Sequence, residues 1–162
     1  AIPPALKALQ DLGMHRKVQL IVSGGIRTGA DVAKALALGA DAVAIGTAAL
    51  VALGDNDPKW EKEYEKLGTR AGCYDDWHEG KDPAGITTQT PELTQRLDPV
   101  AAGRRLANYL KVLTLEAQTL ARACGKNHLH NLEPEDLVAL TLEAAAMARV
   151  PLAGTSWVPG AR

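Results

Sequence analysis

Along the chain the apolar positions change their period several times. Val18–Val22 and Ala42–Ile45 are short, mainly apolar runs with β-branched residues, the pattern of strands buried on both faces of a parallel sheet. Between them Val32, Ala35 and Leu36 return at helical spacing. Thr28 stands where an N-cap belongs, with Asp31 three residues later as an acidic variant of the capping box. Gly39 offers a left-handed stop. Strand, helix and strand in this order predict one right-handed parallel crossover.

Helical spacing dominates elsewhere. Pro3–Leu12 reads as a helix whose prolines sit in the first turn and whose stop is Gly13. Ala48–Leu53 reads as a short apolar helix ended by Gly54, and Asp55-Asn56-Asp57-Pro58 as a turn. Lys59–Leu67 is charged, with Trp60 and Tyr64 at i and i+4, and predicts a short surface helix. Gly68–Pro91 lacks either period and predicts a long irregular loop. In Asp98–Cys124 the residues Leu106, Leu110, Leu113, Ala117, Leu120 and Cys124 step by four and three, one continuous seam of a long helix. Glu133-Pro134-Glu135-Asp136 has the acidic first turn of a last helix, with Leu137, Leu140, Thr141, Ala144 and Met147 as its buried stripe and Val150-Pro151 as its end. The chain thus reads as three regions: 1–54 with the parallel unit, an irregular 55–97, and a helical 98–162.

Composition narrows the functional classes. The 162 residues carry 18 Lys and Arg against 19 Asp and Glu, a net charge of −1, which gives no reason to expect nucleic acid or an anionic membrane as partner. No apolar stretch approaches about 18 residues, and the amino end has no signal-peptide pattern. Two distant cysteines, Cys73 and Cys124, make no disulfide framework. A cytoplasmic location is the expectation. A closed eight-stranded barrel needs about 250 residues, so two strands in the first third suggest a piece of something longer.

The candidate chemistry lies at the strand ends. Gly24-Gly25 and Gly46-Thr47 follow the two strands at their carboxyl ends, where parallel α/β folds place ligands. A phosphate dianion takes several N–H donors at about 3 Å, and a β-carbon at the contact would obstruct it. Glycines there also serve tight βα turns with no ligand at all. The first strand is not followed by G-x-G-x-x-G, so this is no Rossmann fingerprint. Cys73, Asp75, Asp76, Trp77, His78 and Glu79 crowd the irregular loop without any paired ligand spacing, and no metal site is expected there. His128 and His130 read as solvated or carbonyl-bonded turn residues, and Cys124, on the seam, as core.

The stretches SGGIRTGADVAKALALGADAVAIGTAAL, CYDDWHEGKDPAGITTQTPEL and CGKNHLHNLEPEDLVALT resemble the carboxyl part of the flavin-binding synthase domain of glutamate synthases, especially archaeal-type and N-methylglutamate-synthase-like members. The resemblance implies an α/β fold, the last two βα units of a (β/α)8 TIM-type barrel followed by the loop and a helical extension. In such a barrel Val18, Leu20, Val22, Val43 and Ile45 would lead the inward faces. It implies an FMN-dependent enzyme making glutamate, or an N-substituted glutamate, from 2-oxoglutarate and an amino donor. Amidotransferase and electron-donor subunits or domains, and an oligomeric state, go with it. Ser23, Gly24, Gly25, Ile26, Gly46 and Thr47 match the family's FMN phosphate positions. The family's [3Fe–4S] cluster takes three cysteines. Asp55 and Asp82 stand at two of those places and only Cys73 matches the third, so no iron–sulfur cluster is expected. No acid or base in the chain is assigned a catalytic role. Two other readings stay open: a non-catalytic phosphate-binding or subunit-assembly module, and another phosphate-binding barrel of the IMP-dehydrogenase kind.

Overall fold

A computed structural model describes residues 1–160. In chain order its elements are α1 (Ile2–Asp11), β1 (Ile21–Ser23), α2 (Gly29–Ala37), β2 (Ala42–Ala44), α3 (Thr47–Leu53), α4 (Glu61–Lys66), α5 (Pro91–Thr94), α6 (Pro99–Ala123) and α7 (Leu142–Ala148). The fold is mixed α/β. The chain divides into two compact units, Ala1–Ala44 with everything from Leu113 onward, and Ile45–Val112.

In the first unit β1 and β2 pair in parallel, Ile21 with Ala42, Val22 with Val43 and Ser23 with Ala44. Helix α2 joins them. It opens on a full capping box, in which the Thr28 side chain accepts from the Asp31 amide and Asp31 accepts from the Thr28 amide. Leu38 caps its other end, and Gly39 follows at φ +107°. The strands differ from expectation in two respects. β1 starts at Ile21 because the Leu20 amide is turned to the Asp41 carboxylate at 2.7 Å. The strands also bury one face only. Val22 and Val43 pack against Val32, Ala35, Leu36, Ala40 and Ala117, whereas Ile21 is 62% exposed and Ser23, Ala42 and Ala44 are exposed too. Side chains alternate along a strand, so the residues expected to point into a barrel, Val22 and Val43, instead face the helix layer.

The carboxyl part of α6 crosses α2 closely. A β-carbon on Gly29 would lie 2.3 Å from the Leu113 carbonyl oxygen and 2.5 Å from the Ala117 amide nitrogen. Ala117 and Ala121 are buried at this crossing, and Ala33, Ala37 and Leu132 extend it. The expected seam is covered at Leu106, Leu113 and Ala117 but not at Leu110, which is exposed, and after Ala117 it slips by one residue to Ala121. Leu120 is exposed and so is Cys124, which is not core. Small side chains let the two backbones approach, and the longer Leu120 is directed elsewhere.

The last expected helix is in fact two pieces. Pro134–Asp136 makes a single 3-10 turn, and the chain is extended at Leu137. Ala139 then bridges to the following strand-like segment, its amide donating to the Pro151 carbonyl at 2.8 Å and its carbonyl accepting from Ala153 at 2.8 Å. α7 begins afresh at its N-cap Thr141 and ends at Arg149 in the left-handed region. The helical period restarts at this break. Ala139, Ala145 and Val150 are therefore the buried positions, while Leu140 is 85% and Met147 77% exposed.

The second unit starts with α3, closed by Gly54 at φ +115°, where the Arg105 guanidinium donates to the Leu53 carbonyl. Asp57 caps a 3-10 turn at Pro58–Trp60, its carboxylate accepting from the Lys59 amide at 3.1 Å. The Trp60 ring carries Lys59 at 4.7 Å and Arg96 at 4.9 Å, and Arg96 also donates to Glu63 at 2.8 Å and to the Pro83 carbonyl at 3.0 Å. Helix α4 is not wholly a surface element: Tyr64 is completely buried. Between Gly68 and Thr90 the backbone is irregular apart from a 3-10 turn at Trp77–Glu79.

Candidate functional site

Parallel pairing puts the carboxyl ends of β1 and β2 at the same end of the sheet. Directly after β1, Gly24 and Gly25 take φ of +103° and +73°, a backbone region costly for residues with a β-carbon. Ser23, Gly24 and Gly25 are exposed and Ile26 is half-buried. A β-carbon built on either glycine would meet nothing within 4 Å. A glycine turn of this kind leaves its backbone open to close approach, an arrangement that suits an anion. Gly46 and Thr47 belong to the second unit, where Gly46 is the N-cap of α3 without a side-chain cap. A β-carbon on Gly46 would also meet nothing within 4 Å.

The start of α2 is already supplied with negative charge. Asp31 accepts from the Arg27 and Thr28 amides at 3.0 Å each, and Glu116 accepts from the Gly29 amide at 2.7 Å. Slight burial works to raise the Asp31 pKa, but those two amides, with the Thr28 hydroxyl and Lys34, outweigh it and hold the carboxyl below its ordinary range. Sequence reasoning pointed to Asp31 as a cap. It gave no sign of Glu116, which lies 87 residues from Gly29. The Arg27, Thr28 and Gly29 amides at the start of α2 are therefore already engaged by carboxylates.

In the second unit Asp55 and Asp82, which the resemblance sets at the cluster positions, are linked through one side chain. Tyr64 Oη lies 2.7 Å from Asp55 Oδ1 and 2.8 Å from Asp82 Oδ1. Asp82 also accepts from the amides of Ala84 at 3.0 Å and of Ile86 and Thr87 at 2.8 Å, and from the Thr87 hydroxyl at 3.2 Å. Tyr64 and Asp82 are fully buried, and Asp55 is 6% exposed. Burial pushes Asp55 up, with the Asp82 charge adding to it against the Tyr64 hydroxyl and the Gly72 amide. Burial also acts to raise Asp82, but the Thr87 amide, the Tyr64 hydroxyl and the amides of Ile86 and Ala84 prevail and hold it low. Tyr64 itself is pushed far above the ordinary phenol range by burial and both carboxylates. The signal for Asp82 was present in Asp82-Pro83-Ala84-Gly85, since aspartate at the start of such a turn collects the amides that follow it.

These residues do not fit a three-thiolate cluster. Two of its places hold carboxylates already committed to a phenol and to backbone amides, and sulfide-bridged iron prefers soft thiolates. Among the described residues no three His, Cys, Asp or Glu are grouped to hold a metal ion. His130 Nε2 pairs with the Asp41 carbonyl at 2.9 Å and stacks on His128 at 5.3 Å, the carbonyl-bonded alternative of the two foreseen. A cleft beside the end of α6 is lined by Arg122, Lys126, His128 and Leu129. Its cations are engaged, Lys126 with Glu133 at 3.0 Å and Asp136 at 3.4 Å, and Arg122 with the Thr119 hydroxyl.

Comparison with known proteins bears on all of this. The family model of the conserved region in glutamate synthase matches residues 1–61 and 66–127. The chain is 87% identical over 159 residues to a glutamate synthase large subunit-like protein of Rhizobium meliloti, an alignment covering 98% of this chain and 36% of that protein. It is 43% identical over 132 residues to the archaeal glutamate synthase [NADPH] of Methanocaldococcus jannaschii, covering 82% of this chain and 23% of that one. It is 41% identical to an archaeal-type glutamate synthase [NADPH] of Thermotoga neapolitana over the same shares. The chain thus spans about a third or less of the relatives it matches. No solved structure matches it. Among the described residues no helix is long and apolar enough to cross a membrane. With most of its length under the family model, the chain belongs to the glutamate synthase family.

Proposed function

We propose that this chain is a segment of an FMN-dependent glutamate synthase-like oxidoreductase and that its part is to grip the FMN phosphate. The observation that carries the reading is the left-handed Gly24–Gly25 turn directly after β1, open where β-carbons would stand. Ser23, Gly24, Gly25 and Ile26 in that turn, and Gly46 and Thr47 after β2, are the residues assigned to the phosphate. The two strands are the last two of a (β/α)8 barrel. The remainder of the barrel lies in the part of the relatives that this chain does not span. Bound FMN supplies hydride chemistry. The chain's own residues supply backbone donors that fix the cofactor's anionic end, and Glu116 and Asp31 neutralise the first turn of α2. The whole enzyme forms glutamate, or an N-substituted glutamate, from 2-oxoglutarate and an amino donor, with amidotransferase and electron-donor subunits or domains as partners.

Flavin content tests this directly. In the full-length protein Gly25→Val places a branched side chain on the open face of the turn and at an unfavourable φ, and bound FMN should fall at least tenfold. Thr47→Val, which keeps the backbone and removes one hydroxyl, should weaken FMN less, by about 1 kcal/mol. Full flavin occupancy in a folded Gly25→Val protein overturns the assignment.

A further inference from the structure

The geometry at Tyr64 sets a proton count. Its hydroxyl oxygen is within 2.8 Å of one oxygen from each of two buried carboxyl groups, yet a phenol has one hydrogen to donate. If both aspartates were ionised, one of these contacts would bring two oxygens together at hydrogen-bond distance with no hydrogen between them. Such a contact is strongly repulsive inside a protein. A second proton must therefore sit on a carboxyl group. The surroundings decide which. Asp82 already receives three backbone amides and a hydroxyl, a shell made for a negative charge. Beyond Tyr64, Asp55 receives the Gly72 amide.

We propose that Asp55, Tyr64 and Asp82 form a one-proton clamp: neutral Asp55 donates to Tyr64 Oη, Tyr64 donates to ionised Asp82, and the chain from Asp82 to Thr90 is held in place only while Asp55 keeps its proton. Asp82 is the hub of that segment. It gathers the Ala84, Ile86 and Thr87 amides, while the hydroxyls of Thr88 and Thr90 both donate to the Gly80 carbonyl. Gly85 completes the packing, since a β-carbon there would lie 2.2 Å from the Leu93 carbonyl oxygen.

Among the described residues no cation pairs with the clamp. Lys59 pairs with Asp57, Lys81 with Glu79, Arg96 with Glu63, and Arg105 with the Leu53 carbonyl. The Tyr74 ring stands 6.3 Å from that of Tyr64, and its hydroxyl donates to the Asp76 carbonyl. Among the described residues the groups facing the clamp are thus the two aspartates, two phenols, the Thr87 hydroxyl and backbone amides. A group whose pKa is raised by folding stabilises the fold below its unfolded value and loses that contribution as pH rises through the folded value. Asp55 is of this kind. Asp82 is of the opposite kind and fails on the acid side. Between the two losses the clamp is closed.

Asparagine substitutions separate the two roles. In Asp55→Asn the amide N–H₂ replaces the protonated carboxyl as donor to Tyr64 at every pH. Asp82→Asn removes the charge and sets an N–H₂ against backbone N–H groups. The wild-type melting temperature should fall as pH is raised above the ordinary carboxylate range. Asp55→Asn should fold and flatten that slope, whereas Asp82→Asn should melt at least about 5 °C lower at all pH values. Infrared spectroscopy should show a protonated carboxylic acid in the wild type that disappears in Asp55→Asn. The proposal is overturned if Asp55→Asn keeps the wild-type pH slope, if it destabilises as much as Asp82→Asn, or if the acid band survives it.

Discussion

At Gly29 and Gly103 the same residue type has opposite consequences for stability. Around Gly29 the nearest atoms to an added β-carbon are backbone atoms of α6, which cannot swing aside, so Gly29→Ala should cost about 1–3 kcal/mol by overpacking. Gly103 lies in the same helix with nothing within 4 Å of an added β-carbon. There the methyl meets no neighbour and the unfolded chain loses freedom, so Gly103→Ala should stabilise by about 0.5–1 kcal/mol. Denaturant unfolding of the two variants beside the parent reads both signs. Similar effects in the two would show that the close crossing of α2 and α6 is not real.

Among the elements, α2 depends most on its first turn. The Thr28–Asp31 box and Glu116 together satisfy amides that a helix start leaves without partners. Thr28→Ala should therefore cost about 1 kcal/mol. The Asp31 carboxyl is held below its ordinary range, so its contribution is present above that range and is lost as pH falls through the lowered value. Urea midpoints measured from neutral to acid pH should drop in the wild type and drop less in Asp31→Asn. The period alone located α2 correctly because cap, apolar stripe and stop all lie within a dozen residues. It misread α7 for a reason of the same scale: the Glu133–Asp136 turn looks like a helix start, but the chain goes extended at Leu137 to bridge Ala139 with the segment after Pro151.

For the molecule as a whole, the two-stranded sheet is the element that asks for a partner. Among the described residues each strand has one neighbour, and the face bearing Ile21, Ser23, Ala42 and Ala44 is exposed. Unpaired strand edges and an uncovered sheet face favour association. Purified alone, the 162-residue chain should scatter light as a species larger than a monomer after size exclusion, and should neither hold FMN tightly nor form glutamate. A monodisperse monomer with tightly bound flavin and glutamate-forming activity would refute both that expectation and the division of labour proposed above.

Consecutive residues settle where most of the elements lie and which punctuation ends them, α7 being the exception. The capping box at Thr28, the stops at Gly13, Gly39 and Gly54, and the order of strand, helix and strand all depend on neighbours a few residues away. Those interactions are written in consecutive residues. The tertiary structure alone decided which side of each element is covered. Val22 and Val43 face α2, Leu120 and Cys124 face outward, and Leu140 and Met147 are bare, because burial is set by segments tens of residues distant. The Asp55–Tyr64–Asp82 bridge belongs to the same class. Each side chain reads locally as a turn or surface residue, and only the folding of the 80–90 segment over Tyr64 removes all three from water and forces them to share their protons.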